Sequence, residues 1–273
     1  ENNLSGEIPS EIGNMESLTA IWLLNNQLSG QIPESICDLT NLNWEGSGWS
    51  ASLIYGNNLC PPYPSCIADY VGDQACYTYY TYVPDDNFEQ ALIDLGYDDV
   101  LDDSVMTANI SVVTQLNVNA KEISDLTGIE AFTALTYLGC ADNQLTSLDV
   151  SANTELYQIG CANNQLTSLD VSNNTSLAYL TCHSNQLPWL DVSNNTALTE
   201  LFCNVNQIDW LDVSNNTALT KLNCSSNQLT YLNMRNGVTN SLTTFYATNN
   251  PNLTCIETLD PDYATENWTN ANG

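Results

Sequence analysis

From Leu135 onward the chain repeats itself every 21 residues, with five segments starting at Leu135, Leu156, Leu177, Leu198 and Leu219. Each reads L-x-x-L/I-x-C-x-x-N-Q-L/I and runs on as x-x-L-D-V-S-x-N-T with small changes. A degenerate copy with Val113, Leu116, Val118 and Ile123 precedes them, with Lys121 in the Asn position, and another follows from Leu242 with Phe245, Ala247 and Asn250. One turn of this length cannot bury its own apolar side, whereas identical turns stacked about 4.8 Å apart share one core. The period therefore predicts a solenoid of stacked parallel strands, mostly β with irregular turns.

Strand alternation points Leu138 and Cys140 inward and Tyr137, Gly139 and Ala141 outward. The column Asn143, Asn164, Asn185, Asn206, Asn227, Asn250 falls where the chain must turn, and its amides suit backbone groups of adjacent turns. Leu145, Leu148, Val150 and Asn153 repeat the spacing of Leu135, Leu138, Cys140 and Asn143, which predicts a second, shorter parallel strand on the opposite side.

The nested pattern resembles the 21-residue leucine-rich repeat class of exported bacteroidete proteins. Upstream, residues 18–42 follow L-x-x-I-x-L-x-x-N-x-L-S-G-x-I-P, which resembles a plant-type leucine-rich repeat. Asn2, Leu4-Ser5-Gly6 and Ile8-Pro9 look like the tail of a preceding unit, so further repeats are expected upstream. Cys60-Pro61-Pro62-Tyr63-Pro64-Ser65-Cys66 resembles the cysteine-bearing cap of such arrays. The stretch from Pro84 to Leu95 reads as a helix, with Asp85 and Asp86 at its N-terminus, Phe88, Ala91, Leu92 and Leu95 on one face, and Gly96 as the stop. Through Thr107 it resembles the N-terminal cap of 21-residue arrays. The expected fold is thus a leucine-rich repeat solenoid with two arrays and a short capping helix. Its expected divisions are 1–77 (plant-type repeats with a cap), 78–112 (helical cap) and 113–273 (the 21-residue array with a C-terminal cap).

Thirty-two Asp plus Glu against three Lys plus Arg give a net charge of −29, which excludes a phosphate-tracking surface and hence nucleic acid as a partner. No apolar run approaches the 18 or so residues of a membrane helix. Ten cysteines suit an exported protein in an oxidising compartment. Cys37, Cys60, Cys66 and Cys76 form an even set with three pairings open, read as two structural disulfides. Cys140, Cys161, Cys182, Cys203 and Cys224 fall on the inward position of successive turns and read as buried free thiols, since parallel in-register side chains miss bridge geometry. A straight column in a dry core does not give zinc its tetrahedron, so no metal site is expected there. No cofactor is expected. Calcium is the one ion raised by the clustered carboxylates of residues 97–103, which lack the spaced D-x-D-x-D-G loop and read more simply as a solvated acidic turn.

Two faces present variable side chains on a constant frame. On the first, the columns Gln115, Tyr137, Gln158, Tyr179, Glu200, Lys221, Thr244 and Asn117, Gly139, Gly160, Thr181, Phe202, Asn223, Tyr246 point outward, with His183 beside them. Tyr137, Tyr179, His183, Glu200, Phe202, Lys221 and Tyr246 make a mixed patch for a protein or sugar, or a plain solvated face. On the second, Ser147, Ser168, Trp189, Trp210, Tyr231 run beside Asp149, Asp170, Asp191, Asp212, Asn233. Aromatic faces next to carboxylates suit pyranose rings and protein hot spots alike, so Trp189, Asp191, Trp210, Asp212 and Tyr231 are candidate ligand contacts; the plainer alternative is a sealed sheet edge. Like charges in this file raise carboxylate pKa values unless Ser151, Ser172, Ser193 or a cation offsets them. Asn173, Asn194 and Asn215 open Asn-x-Thr sequons generated by the repeat.

The only histidine is His183, and no nucleophile elbow, zinc-protease or phosphate-cradling motif occurs, so an enzyme is not expected. The sequence points to an exported or cell-surface recognition module binding a protein or glycan. The alternative is a structural protein that self-associates into fibres or a surface layer.

Overall fold

A computed structural model describes residues 2–46, 51–61, 63–75 and 80–268, which divide into two compact units, Glu1–Tyr79 and Tyr80–Gly273. In the first unit, strands β1 (Ser5–Gly6), β2 (Gln27–Gln31) and β3 (Asn58–Cys60) pair in parallel. Between strands, 3-10 turns at Ser10–Asn14 and Glu34–Asp38 follow Pro9 and Pro33, whose fixed φ starts each turn without needing an N–H. Ile8, Leu28, Ile32, Ile36, Leu39, Ile54, Leu59 and Ile67 form the core. Asn57 stitches the turns, donating from Nδ2 to Leu23 O and Ile54 O at 2.8 Å and accepting at Oδ1 from Leu28 N at 3.2 Å. Cys37 and Cys66 form a disulfide with Cα atoms 5.7 Å apart. Cys60 is also disulfide-bonded, and Cys76 lies outside the described residues.

The second unit opens with β4 (Tyr80–Tyr82), helix α1 (Asp86–Asp94), β5 (Ser104–Met106), which pairs antiparallel with β4, and the short α2 (Thr107–Ile110). Asp85 caps α1, accepting from Asn87 N and Phe88 N, and its second oxygen accepts from Ser124 N, Ser124 Oγ and Asp125 N. One side chain thus fixes the helix start to the first turn of the array. Phe88, Ala91 and Leu92 are buried as expected, but Leu95 is exposed, because it is the C-cap residue just before Gly96 turns left-handed at φ 80°.

The array follows as seven parallel strands: β6 (Gln115–Asn117), β7 (Tyr137–Gly139), β8 (Gln158–Gly160), β9 (Tyr179–Thr181), β10 (Glu200–Phe202), β12 (Lys221–Asn223) and β14 (Thr244–Tyr246). The register Gln115↔Tyr137↔Gln158↔Tyr179↔Glu200↔Lys221↔Thr244 is the one read from the period. This is a leucine-rich repeat solenoid of stacked parallel strands. The second row is regular only toward its C-terminal end, where β11 (Trp210–Asp212), β13 (Tyr231–Met234) and β15 (Ile256–Thr258) pair in parallel. Earlier it reduces to a single bridge between Asp149 and Asp170, and in the next turn Pro188 has no N–H to give a ladder. Helix α3 (Pro261–Asn267) follows β15, and Trp268 packs its ring 4.5 Å from that of Phe245.

Two columns of asparagine hold the turns. Asn185 is typical of the first: Nδ2 donates to Cys161 O at 3.0 Å and Cys182 O at 3.1 Å, while Oδ1 accepts from Leu166 N at 2.9 Å. In the second, Asn153, Asn174, Asn195 and Asn216 are fully buried and each donates to carbonyls of an earlier turn. Their Oδ1 atoms have no partner. Between these columns, Cys140, Cys161, Cys182, Cys203 and Cys224 are buried free thiols, and burial pushes Cys161 and Cys203 up to about 12.

Candidate functional site

On the first face, the expected columns form but their chemistry is partly used up within the protein. Glu200 and Lys221, one turn apart in the same column, pair at 2.9 Å. Tyr137 lies back over Gly139: a Cβ added to that glycine would meet the Tyr137 hydroxyl at 2.7 Å, so Gly139 holds its place in the outward column but is buried beneath the tyrosine. Tyr179 packs edge-on against Tyr157 with ring centroids 5.2 Å apart. His183 is half-buried with Nδ1 3.2 Å from Ser184 Oγ, Phe202 is half-buried, and Tyr246 is exposed.

The second face builds a more shaped site. Trp210 stacks on Tyr231 with centroids 5.9 Å apart and planes 6° apart. Tyr231 is itself anchored, its hydroxyl donating to Glu257 Oε2 at 2.7 Å, and that carboxylate also pairs with Arg235 at 2.9 Å. One turn the other way stands Trp189, and the space between Trp189 and Trp210 is a cleft of about 400 Å³. Leu190 lines it with Asp191, Asp212, Ser193 and Ser214. Trp189 also walls a second cleft of about 480 Å³, where Ser168 at the tryptophan position of the preceding turn leaves room above Asp149 and Asp170. Both tryptophans are about half exposed, 51% for Trp189 and 48% for Trp210.

Three carboxylates of this file, Asp149, Asp170 and Asp212, are held ionised. Repulsion along the file would raise them, but the Ser151 and Ser172 side chains and backbone N–H groups bond Asp149 and Asp170 and hold both below the usual range. For Asp212 burial works upward first, and bonds from Ser214, then Asn233, together with the charge of Arg235, outweigh it. Asp191 accepts from Ser193 N at 2.9 Å. The serines of the repeat thus offset the crowding of charge. Asn173, Asn194 and Asn215 are exposed, and each donates to a backbone carbonyl of the preceding turn.

Sequence reasoning missed several participants. Tyr157 precedes its strand and so fell outside the outward columns, yet it is half exposed beside Tyr179. Glu257 lies past the last full repeat, and Arg235 stands in the fifth repeat at the position where earlier turns carry Ser151, Ser172, Ser193 and Ser214. Val205 occupies the left-handed position of its turn, φ 56°, where neighbouring turns place Asp142, Asn163, Ser184 and Ser226, and its side chain is exposed. A β-branched residue at the position otherwise taken by Asn, Asp or Ser was the available signal.

No family model matches the chain. Internalin J of Listeria monocytogenes is 40% identical over 70 residues, covering 26% of this chain and 8% of Internalin J. A solved structure of the functional domain of InlJ from the same species, described as including a cysteine ladder, is 30% identical, with a TM-score of 0.44, and the alignment covers 65% of this chain and 52% of that one. The L. monocytogenes internalin InlF is 22% identical, covering 94% of this chain and 74% of that one, with a TM-score of 0.47. This chain therefore spans a small part of Internalin J and about half of its solved domain. By its own stacked strands and asparagine columns the chain is a leucine-rich repeat protein, and part of its sequence is similar to a listerial internalin.

Proposed function

We propose that this chain is a non-enzymatic recognition module, exported or held at a cell surface, that binds a protein or glycan on the faces of its solenoid. The observation that carries this reading is the cleft between Trp189 and Trp210. Two half-exposed tryptophans face a gap of about 400 Å³ lined by Leu190 and by the carboxylates of Asp191 and Asp212. An apolar slot with a hydrogen-bonding rim takes the flat face of a pyranose or an aromatic or cationic side chain of a protein. Binding there needs no reaction chemistry, and the stacking of Trp210 on Tyr231 holds one wall in place before a ligand arrives. The disulfide at Cys37–Cys66 supports an oxidising, extracellular location. The exposed sequon residues Asn173, Asn194 and Asn215 would then be available for glycosylation, and the 21-residue pattern is read as of the bacteroidete exported class.

The test compares the intact chain with a Trp189→Ala, Trp210→Ala double variant by light scattering, glycan-array binding and capture of surface proteins. Saturable binding by a monomer, lost in the variant, is the expected result. Binding that survives in the variant removes the cleft from the proposal. Large assemblies without ligand binding would replace it with the self-associating structural alternative.

A further inference from the structure

We propose that the cap of the second unit binds a calcium ion through Asp86, Glu89 and Asp103. The acidic run at residues 97–103 supplies only one of these; the other two come from the helix. Asp86 opens α1, Glu89 follows one turn later on the same face, and Asp103 precedes β5 in a left-handed conformation, φ 63°. One carboxylate oxygen from each lies within 4.8 Å of the other two. Oxygens on one calcium ion, each about 2.3–2.6 Å from it, are separated by at most about 5 Å, so the three can share an ion.

Glu89 supplies the independent observation. Its side chain is fully buried, Oε1 accepts from Asp102 N at 3.0 Å and Ser104 N at 2.9 Å, and Oε2 has no hydrogen-bond partner. Asp98 Oδ2 is likewise buried without a hydrogen-bond partner. A buried carboxylate oxygen facing other carboxylates is costly unless a cation or proton meets it. The protein has no basic side chain to spare for this. Its three Lys and Arg residues are paired elsewhere, Lys121 with Asp94, Lys221 with Glu200 and Arg235 with Glu257. The donor set is all oxygen and contains no imidazole or thiolate, which selects a hard cation. Two ligands on a helix and one on a loop give the irregular, bidentate-tolerant geometry that suits calcium better than the strict octahedron of magnesium. The ion would tie the loop before β5 to α1.

The whole chain, stripped with chelator and dialysed, is titrated with calcium chloride by calorimetry and thermal melting. One equivalent is expected to bind, raising Tm by roughly 5 °C at a hundredfold excess over Kd, with magnesium much weaker. Asp86→Asn and Asp103→Asn change exposed side chains, so both should fold, and each should weaken calcium binding roughly tenfold or more. Asp149→Asn with Asp170→Asn serves as the control for loose association with an acidic surface and should bind as the parent does. No calcium-dependent change in Tm, or affinity equal in the cap variants and the parent, overturns the proposal.

Discussion

Replacing Asn185 by alanine tests what holds the turns together. The side chain is 8% exposed and makes three bonds of 2.9–3.1 Å, two to carbonyls and one from the Leu166 N–H of the preceding turn. Alanine leaves that N–H buried without its acceptor, a cost of about 1–3 kcal/mol, and takes a donor from each of two carbonyls at about 1 kcal/mol apiece. The expected loss is therefore about 3–5 kcal/mol, a large share of the 5–15 kcal/mol that holds a typical domain folded. Asn173→Ala is the matched control: its side chain is exposed and makes one bond of 3.2 Å to Ser151 O, so the loss should stay below about 1 kcal/mol. Urea unfolding followed by circular dichroism measures both. Because each turn touches only its neighbours, Asn185→Ala should also lower the m-value or split the transition as the array parts at that turn. Asn185→Asp sharpens the test, since it keeps an acceptor for Leu166 N–H but sets a carboxylate against two carbonyls. Its folded pKa should lie above the unfolded one, so the variant gains stability as pH falls from the folded toward the unfolded value. Equal losses in Asn185→Ala and Asn173→Ala would refute the reasoning.

Alkaline pH should destabilise the array through its thiols. Cys161 and Cys203 are raised from 9.0 to about 12 by burial, so between these values the unfolded chain ionises while the folded one does not; stability is intact below 9 and falls as pH rises. The slope approaches about 1.4 kcal/mol per pH unit per thiol only about one unit above pH 9, so these two remove about 2 kcal/mol between pH 9 and 10, and Cys161→Ala with Cys203→Ala should flatten that slope in reducing urea titrations; an unchanged slope rejects the attribution. Val205→Asn should stabilise by about 1 kcal/mol in the same assay, because asparagine tolerates the φ of 56° that valine resists; a loss of stability would show that the valine side chain contributes packing unseen in its exposure.

Most of the frame was legible because its period is a physical requirement. Once Leu135, Leu156, Leu177, Leu198 and Leu219 are in register, the outward columns and the inward cysteines follow by alternation, and the strands pair in that register. What the register does not carry is how neighbours spend their polar groups. Glu200 and Lys221 were read as ligand contacts, yet they lie one turn apart in one column and meet each other first. The burial of Gly139 depends on which way the Tyr137 ring leans, a rotamer matter invisible to alternation. The second asparagine column was seen only as a spacing, and its burial comes with the bonds its amides give to carbonyls of the preceding turn. The pairing of Cys37 with Cys66 required the first unit's fold, since three pairings satisfied the sequence equally. At the cap, the acidic loop was noticed while Asp86 and Glu89 were not joined to it, because helix and loop meet only in three dimensions.

The five stacked thiols give the array a chemical memory of having opened. While folded they are neutral, buried and out of reach of oxidants, since the thiolate is the reactive form and burial suppresses it. A turn that comes apart releases thiols of ordinary acidity, already close along the chain, into whatever oxidant surrounds it. A disulfide or sulfenic acid formed there no longer fits the dry position its thiol left. Opening under oxidising conditions is thus a ratchet, and the lifetime of the array is set by how rarely a turn opens as much as by the depth of its folded well.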